Sequence, residues 1–113
     1  LQVYFIIDDG ESFMRVEILS RGDVFKAKLL DKLTFADHIA FRKLIDEVKS
    51  AGSRQLTLDM ADLAMIDSSG LGMIMIALDE AKKSGFVLTV ENAAGPVMQL
   101  LKLSKMDVLL KVA

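Results

Sequence analysis

In MIDSSGLGMIMIAL, positions 65 to 78, one acid, two hydroxyls and a glycine interrupt an otherwise apolar run: Asp67, Ser68, Ser69 and Gly70. Asp67 or Ser68 can accept from the first free N–H groups of a helix, Ser69 can occupy its first turn, and Gly70 permits a turn or a close backbone approach. Capping accounts for all four residues and requires no biochemical function. The same place also suits a switch. A phosphate on either serine would meet unpaired backbone donors and the positive end of the helix dipole, while adding roughly 1.5 to 2 negative charges beside Asp67 and near Asp59 and Asp62. The fold can tolerate that charge, but a partner resting on the acidic loop and on Met73 or Ile76 would have to desolvate it. The residues by themselves rank neither serine above the other.

Other chemistries find less support. His38 is the single histidine, and only a distant fold contact could make it a general base for Ser68, so surface or capping use is the simpler role. Asp59, Asp62 and Asp67 lack the spacing of a calcium loop and read as a solvated acidic rim. Gly70 and Gly72 flank Leu71 without the remaining glycines of a dinucleotide loop, no GxxxxGK[ST] occurs, and ENAAGPV (91–97) reads as loop and helix-start chemistry. No catalytic residue, metal site or cofactor is expected.

The elements around DSSG follow from periodicity. VYFII (3–7) and FMRVEIL (13–19) are strand candidates joined by the turn-like DDGES; Phe13, Val16 and Ile18 alternate with Arg15 and Glu17, as in a half-buried hairpin. Residues 20–33 begin with the turn SRGD, after which VFKAKLLDKL fits strand, short helix or irregular packing. TFAD (34–37) resembles a capping box, and Phe41, Leu44, Ile45 and Val48 then recur at helical spacing until Gly52. RQLTLDM (54–60) is a strand leading into an acidic turn over 59–67. A second helix runs from Ser68 or Ser69 to Lys83, FVLTVEN (86–92) is a further strand, VMQLLKL (97–103) a short helix, and MDVLLKV (106–112) a terminal strand or helix. In the second helix Leu71, Ile74, Met75 and Leu78 are expected in the core, while Met73 and Ile76 fall outside that stripe. Either the helix is buried on two sides or it leaves an apolar partner surface. Alternating strands and helices indicate an α/β layered domain with parallel crossovers and an antiparallel opening hairpin. DSSG then lies beyond the carboxyl end of a central strand, where open α/β folds commonly hold ligands or reacting groups.

Composition agrees with one folded module. The chain has 113 residues, 52% of them hydrophobic, with one proline and a net charge of −2, which argues against a disordered linker and gives no general reason to bind nucleic acid. It has no cysteine, no apolar run long enough to span a bilayer and no secretory signal pattern, so no membrane-spanning segment is expected within this chain and a cytoplasmic location is the plain reading. The first residue is Leu1, compatible with an excerpt or a processed form of a longer protein.

LTLDMADLAMIDSSGLGMIMIAL (56–78) resembles the strand, acidic loop, phosphorylation motif and helix of the STAS family, the domain shared by sulfate transporters and anti-sigma factor antagonists, especially the bacterial single-domain anti-anti-sigma factors. GFVLTVENAAGPVMQLLKLSKMD (85–107) is similar to the strand and helix that follow there. LDxxxxxxIDSSGLG is far more specific than DSSG, and the likeness extends over about residues 12–113. Two departures stand out: 20–33 is not a clean version of the family's early GxLD-type segment, and Ser104 and Lys105 occupy places where related sequences often carry a glycine.

The resemblance implies an α/β STAS-like layered domain, a small mixed β-sheet with helices mainly on one face, spanning 1–113 with its signal concentrated over 34–113. It implies a non-enzymatic anti-sigma factor antagonist whose partner binding is switched by serine phosphorylation. By position in the motif Ser68 is the phosphorylated residue, supported by Asp67, Ser69 and Gly70, with Asp62, Leu71, Met73 and Ile76 as partner-binding candidates. The implied partners are an anti-sigma factor or related serine kinase and a serine phosphatase. The alternative is a non-phosphorylated structural or sensory STAS adaptor within a larger signalling assembly.

Overall fold

The computed structural model describes residues 2–7 and 13–112, with side-chain placement over 15–110. In chain order, strands β1 (Gln2–Ile7), β2 (Phe13–Arg21), β3 (Val24–Leu29) and β4 (Asp31–Leu33) lead through a single 3-10 turn (Phe35–Asp37) into helix α1 (His38–Ala51). Strands β5 (Gln55–Asp59) and β6 (Leu63–Ile66) precede helix α2 (Ser68–Ser84). Strand β7 (Val87–Glu91), helices α3 (Gly95–Leu103) and α4 (Met106–Leu109) and strand β8 (Lys111–Val112) complete the order.

The main sheet runs β1-β2-β3-β5-β7-β8. The expected opening hairpin is present, with Tyr4 opposite Val16, and β2 to β3 is antiparallel as well. From β3 onward all pairings are parallel. The DDGES turn lies outside the described residues. Residues 20–33, ambiguous in sequence, hold the end of β2 followed by β3 and β4. Ser20 Oγ donates to the Val24 carbonyl at 2.7 Å, Phe25, Ala27 and Leu29 are buried, and Lys26 and Lys28 alternate outward. An irregularity between Ile18 and Ser20 shifts the register of β2 against β3.

Register explains the layering. Phe25, Leu56 and Leu88 lie side by side on one face, as do Ala27, Leu58 and Val90 one step further along; all six are buried under the helices. Each large side chain so removed from water contributes roughly 1.5 to 3 kcal/mol. The opposite face carries Lys26, Thr57 and Thr89, then Lys28, Asp59 and Glu91, a polar surface that fits helices mainly on one side.

The capping box forms as expected: the Asp37 carboxylate accepts from the Thr34 N–H at 2.9 Å. Helix α1 turns Ala40, Phe41, Leu44, Ile45 and Val48 inward and ends at Gly52, whose φ of 67° is the left-handed region that glycine favours. The acidic turn is partly ordered as β6, which pairs in parallel with β4. A correction falls on α2. Met73 is buried at 5% exposure and Met75 is 51% exposed, the reverse of the expectation. At about 100° per residue the two lie symmetrically on either side of Ile74, and α1 covers the Met73 side. At the carboxyl end the strand-or-helix choice resolves into both, a short helix followed by a two-residue strand.

Candidate functional site

The amino end of α2 is built from three contacts. Asp67 is the N-cap, in extended conformation, and its Oδ1 accepts from the Gly70 N–H at 2.7 Å, so the acid rather than a serine does the capping. The Leu71 N–H donates to the Asp67 carbonyl at 2.9 Å and begins the helical ladder. Gly70 presses against β4: a Cβ there would overlap the Leu33 carbonyl oxygen and stand 2.9 Å from Ile66 Cγ1. The glycine is therefore required by a close approach within the fold. With Asp67 committed to Gly70, the Ser68 and Ser69 side chains are exposed in the first turn, and the N–H groups of these two residues are the remaining donors without an intrahelical acceptor. The arrangement can hold an anionic group at a helix amino terminus.

The neighbouring loop is more structured than a solvated rim. Asp59 is buried, and its Oδ1 accepts from Asn92 Nδ2 and from the Ala61 N–H, each at 3.0 Å. Burial works against ionisation of Asp59, but the Asn92 and Ala61 hydrogen bonds, with Lys26 and Lys28 nearby, outweigh it and hold the carboxyl below its ordinary value. Asp62 is exposed and pairs with Lys28 at 3.0 Å, and this hydrogen-bonded ion pair raises the lysine. Lys26 pairs with Glu91 at 2.9 Å and is raised in the same way. Asn92 lies in ENAAGPV, whose composition suggests only loop and helix-start chemistry. Its φ is 60°, and an asparagine directly after a strand is the signal that could have marked it.

The partner-binding candidates separate. Asp62 and Ile76 are exposed; Leu71 and Met73, at 8% and 5%, are buried and do not themselves present a surface. Met73 instead forms the floor of a groove between α1 and α2, about 230 Å³ in volume, with Ile39, Ile45 and Ile76 among its walls. Phe35, Ile39 and Met65 are exposed apolar residues not singled out in sequence, and Met75, expected in the core, is exposed as well. Arg42 and Lys49 of α1 reach Glu80 of α2 at 3.8 and 3.2 Å and tie the two helices together. His38 lies flat on the Phe35 ring, with centroids 4.5 Å apart, and its Nδ1 is 2.8 Å from the Phe35 carbonyl oxygen, which is the capping use expected of it. Among the described residues no histidine or acidic cluster could hold a metal ion.

A small mixed sheet, helices mainly on one face and a serine pair opening the helix that follows β6, the strand paired with β4 beside the main sheet, define a layered α/β domain. The chain belongs to the STAS family: the family model described as MlaB, STAS domain, matches residues 21–111. A STAS-domain-containing protein of Pseudomonas aeruginosa (strain UCBPP-PA14) is 24% identical over 92 residues, covering 81% of this chain and 90% of its own length. A Thermotoga maritima crystal structure assigned as an anti-sigma factor antagonist is 26% identical, with a TM-score of 0.74 over 86% of this chain and 82% of that one. The phosphorylated form of the Bacillus cell fate determinant SpoIIAA shares the fold, with a TM-score of 0.65 at 17% identity over 88% and 90% of the two chains. STAS domains are non-catalytic regulatory modules, and this chain is one of that family.

Proposed function

We propose that residues 1–113 act as one STAS domain, an anti-sigma factor antagonist that binds a serine-kinase anti-sigma factor and is switched by phosphorylation of Ser68. The observation that carries this reading is the exposed Ser68 at the first position of α2, beside an Asp67 already committed to capping. Phosphate there has the Ser68 and Ser69 N–H groups as donors and disturbs the fold little. A partner covering Ser68, Asp62 and Ile76 meets added charge and bulk beside an already acidic loop, so phosphorylation releases it and a serine phosphatase restores binding. The likeness to an anti-sigma factor antagonist at 26% identity supports the partner class.

The test is mass mapping after treatment with the partner kinase, together with binding measured for unmodified protein, Ser68→Asp and Ser68→Ala. Modification at Ser68, weakened binding by Ser68→Asp and unswitchable binding by Ser68→Ala are expected. Modification confined to other residues would sink the assignment. Equal affinities for Ser68→Asp and unmodified protein would return the domain to the non-phosphorylated adaptor.

A further inference from the structure

We propose that the turn joining α3 to α4 is a docking surface for an anionic lipid bilayer. Leu103 and Val108 are the two most exposed large apolar side chains among the described residues, at 83% and 78%, and Leu109 beside them is exposed as well. They protrude from the turn and line neither cavity beside α1. A folded partner needs a recess or a matching shape to bury such side chains; a fluid bilayer accepts them as they stand.

The charges fit the same occupant. Lys102 and Lys105 are exposed on either side of Leu103, and Asp107, the one acid between 102 and 110, is half-buried. In a chain of net charge −2 this stretch is net basic, which complements anionic headgroups. Lys105 adds a separate observation. Its φ is 60°, where glycine is unstrained and a lysine is not. The turn's hydrogen bonds, from the Lys105 N–H to the Lys102 carbonyl at 3.1 Å and from the Val108 N–H to the Lys105 carbonyl at 3.2 Å, are backbone bonds that glycine would make equally well. The turn explains the conformation but not the ammonium group, which the sequence sets between Leu103 and Val108 at a cost in strain. Such contact is peripheral, since no helix among the described residues is long and apolar enough to cross a membrane, and it is independent of Ser68.

The 113-residue chain should sediment with vesicles of equal parts phosphatidylglycerol and phosphatidylcholine, not with phosphatidylcholine alone, and added salt should weaken the binding. Lys105→Gly is the diagnostic variant. It relieves the backbone, so its Tm stays at or above that of the unsubstituted protein, while vesicle binding falls about fivefold, the factor expected for one lysine near an anionic surface. The double variant Leu103→Ser with Val108→Ser changes only exposed positions, retains its circular dichroism and Tm, and binds mixed vesicles no better than neutral ones. The proposal is overturned if the unsubstituted chain ignores the mixed vesicles or if binding survives the double substitution. A concentration-dependent dimer abolished by the serine substitutions would also overturn it and assign the patch to a second copy of the chain.

Discussion

A single methyl group at position 70 would hold α2 away from β4. Because that methyl would meet backbone oxygen rather than the end of a flexible side chain, Gly70→Ala should destabilise the domain by about 1 to 3 kcal/mol in urea unfolding. Asp67→Ala removes the cap that Gly70 uses and should cost about 1 kcal/mol in the same measurement. Asp59 supplies a pH dependence. Its folded carboxyl titrates below its ordinary value of 3.8, so the folded state binds fewer protons than the unfolded one. The stabilisation is fully present above the unfolded value and is lost as pH falls through the folded one. Asn92→Gly accepts the left-handed backbone but removes the bond to Asp59, and should move the acid-unfolding midpoint to higher pH. Asp59→Asn, with no carboxyl to titrate, should weaken the pH dependence in that window. Circular dichroism against pH checks both.

At the scale of elements, α2 is positioned by its two flanks. Met73 is buried at the floor of the groove against α1 and Met75 faces water. Met73→Ala should therefore cost about 2 to 5 kcal/mol, while Met75→Ala should stay within about 0.5 kcal/mol; comparing their denaturation midpoints tests the assignment of the helix face. The α3–α4 turn has a different character. It is held by backbone bonds and the Ser104 hydroxyl, which donates to the Leu100 carbonyl at 2.8 Å, while the strain sits in Lys105. Met106 anchors it in the core, but Leu103, Val108 and Leu109 are left out, whereas the apolar side chains of α2 mostly enter it.

For the whole molecule, β5 is the keel. Leu56 and Leu58 face the helices, Thr57 and Asp59 face the other side, and all four are buried, with parallel neighbours on both edges. Opening this strand means dismantling the layers. In native-state hydrogen exchange the amides of Leu56 and Leu58 should be among the slowest and exchange only through global unfolding, with those of the α3–α4 turn opening far more readily. Equal protection in the two regions would contradict this hierarchy. The proposed partner surface belongs to this scale too, because α2 and the 3-10 turn before α1 approach one another only in the folded chain.

The sequence by itself determined what depends on neighbours along the chain. Alternation marked β2, β5 and β7, helical spacing with a capping box and a terminal glycine marked α1, and DSSG after a strand marked the start of α2. Those signals are local because hydrogen-bond geometry and side-chain period are local. Tertiary structure decided the rest. VFKAKL alternates well enough for a strand, yet only the parallel ladder with β5 excludes the other conformations. Helical spacing puts Met75 in the core stripe and Met73 outside it, and α1 reverses the two by covering Met73. Asp59 and Asp62 look alike in an acidic turn until Asn92, more than thirty residues away, buries the first as a bonded carboxylate and Lys28 pairs the second at the surface. Gly70 reads equally well as a turn or a close backbone approach, and the Leu33 carbonyl resolves it as the second. Burial and charge pairing are properties of three-dimensional neighbours, which residues distant in the chain supply.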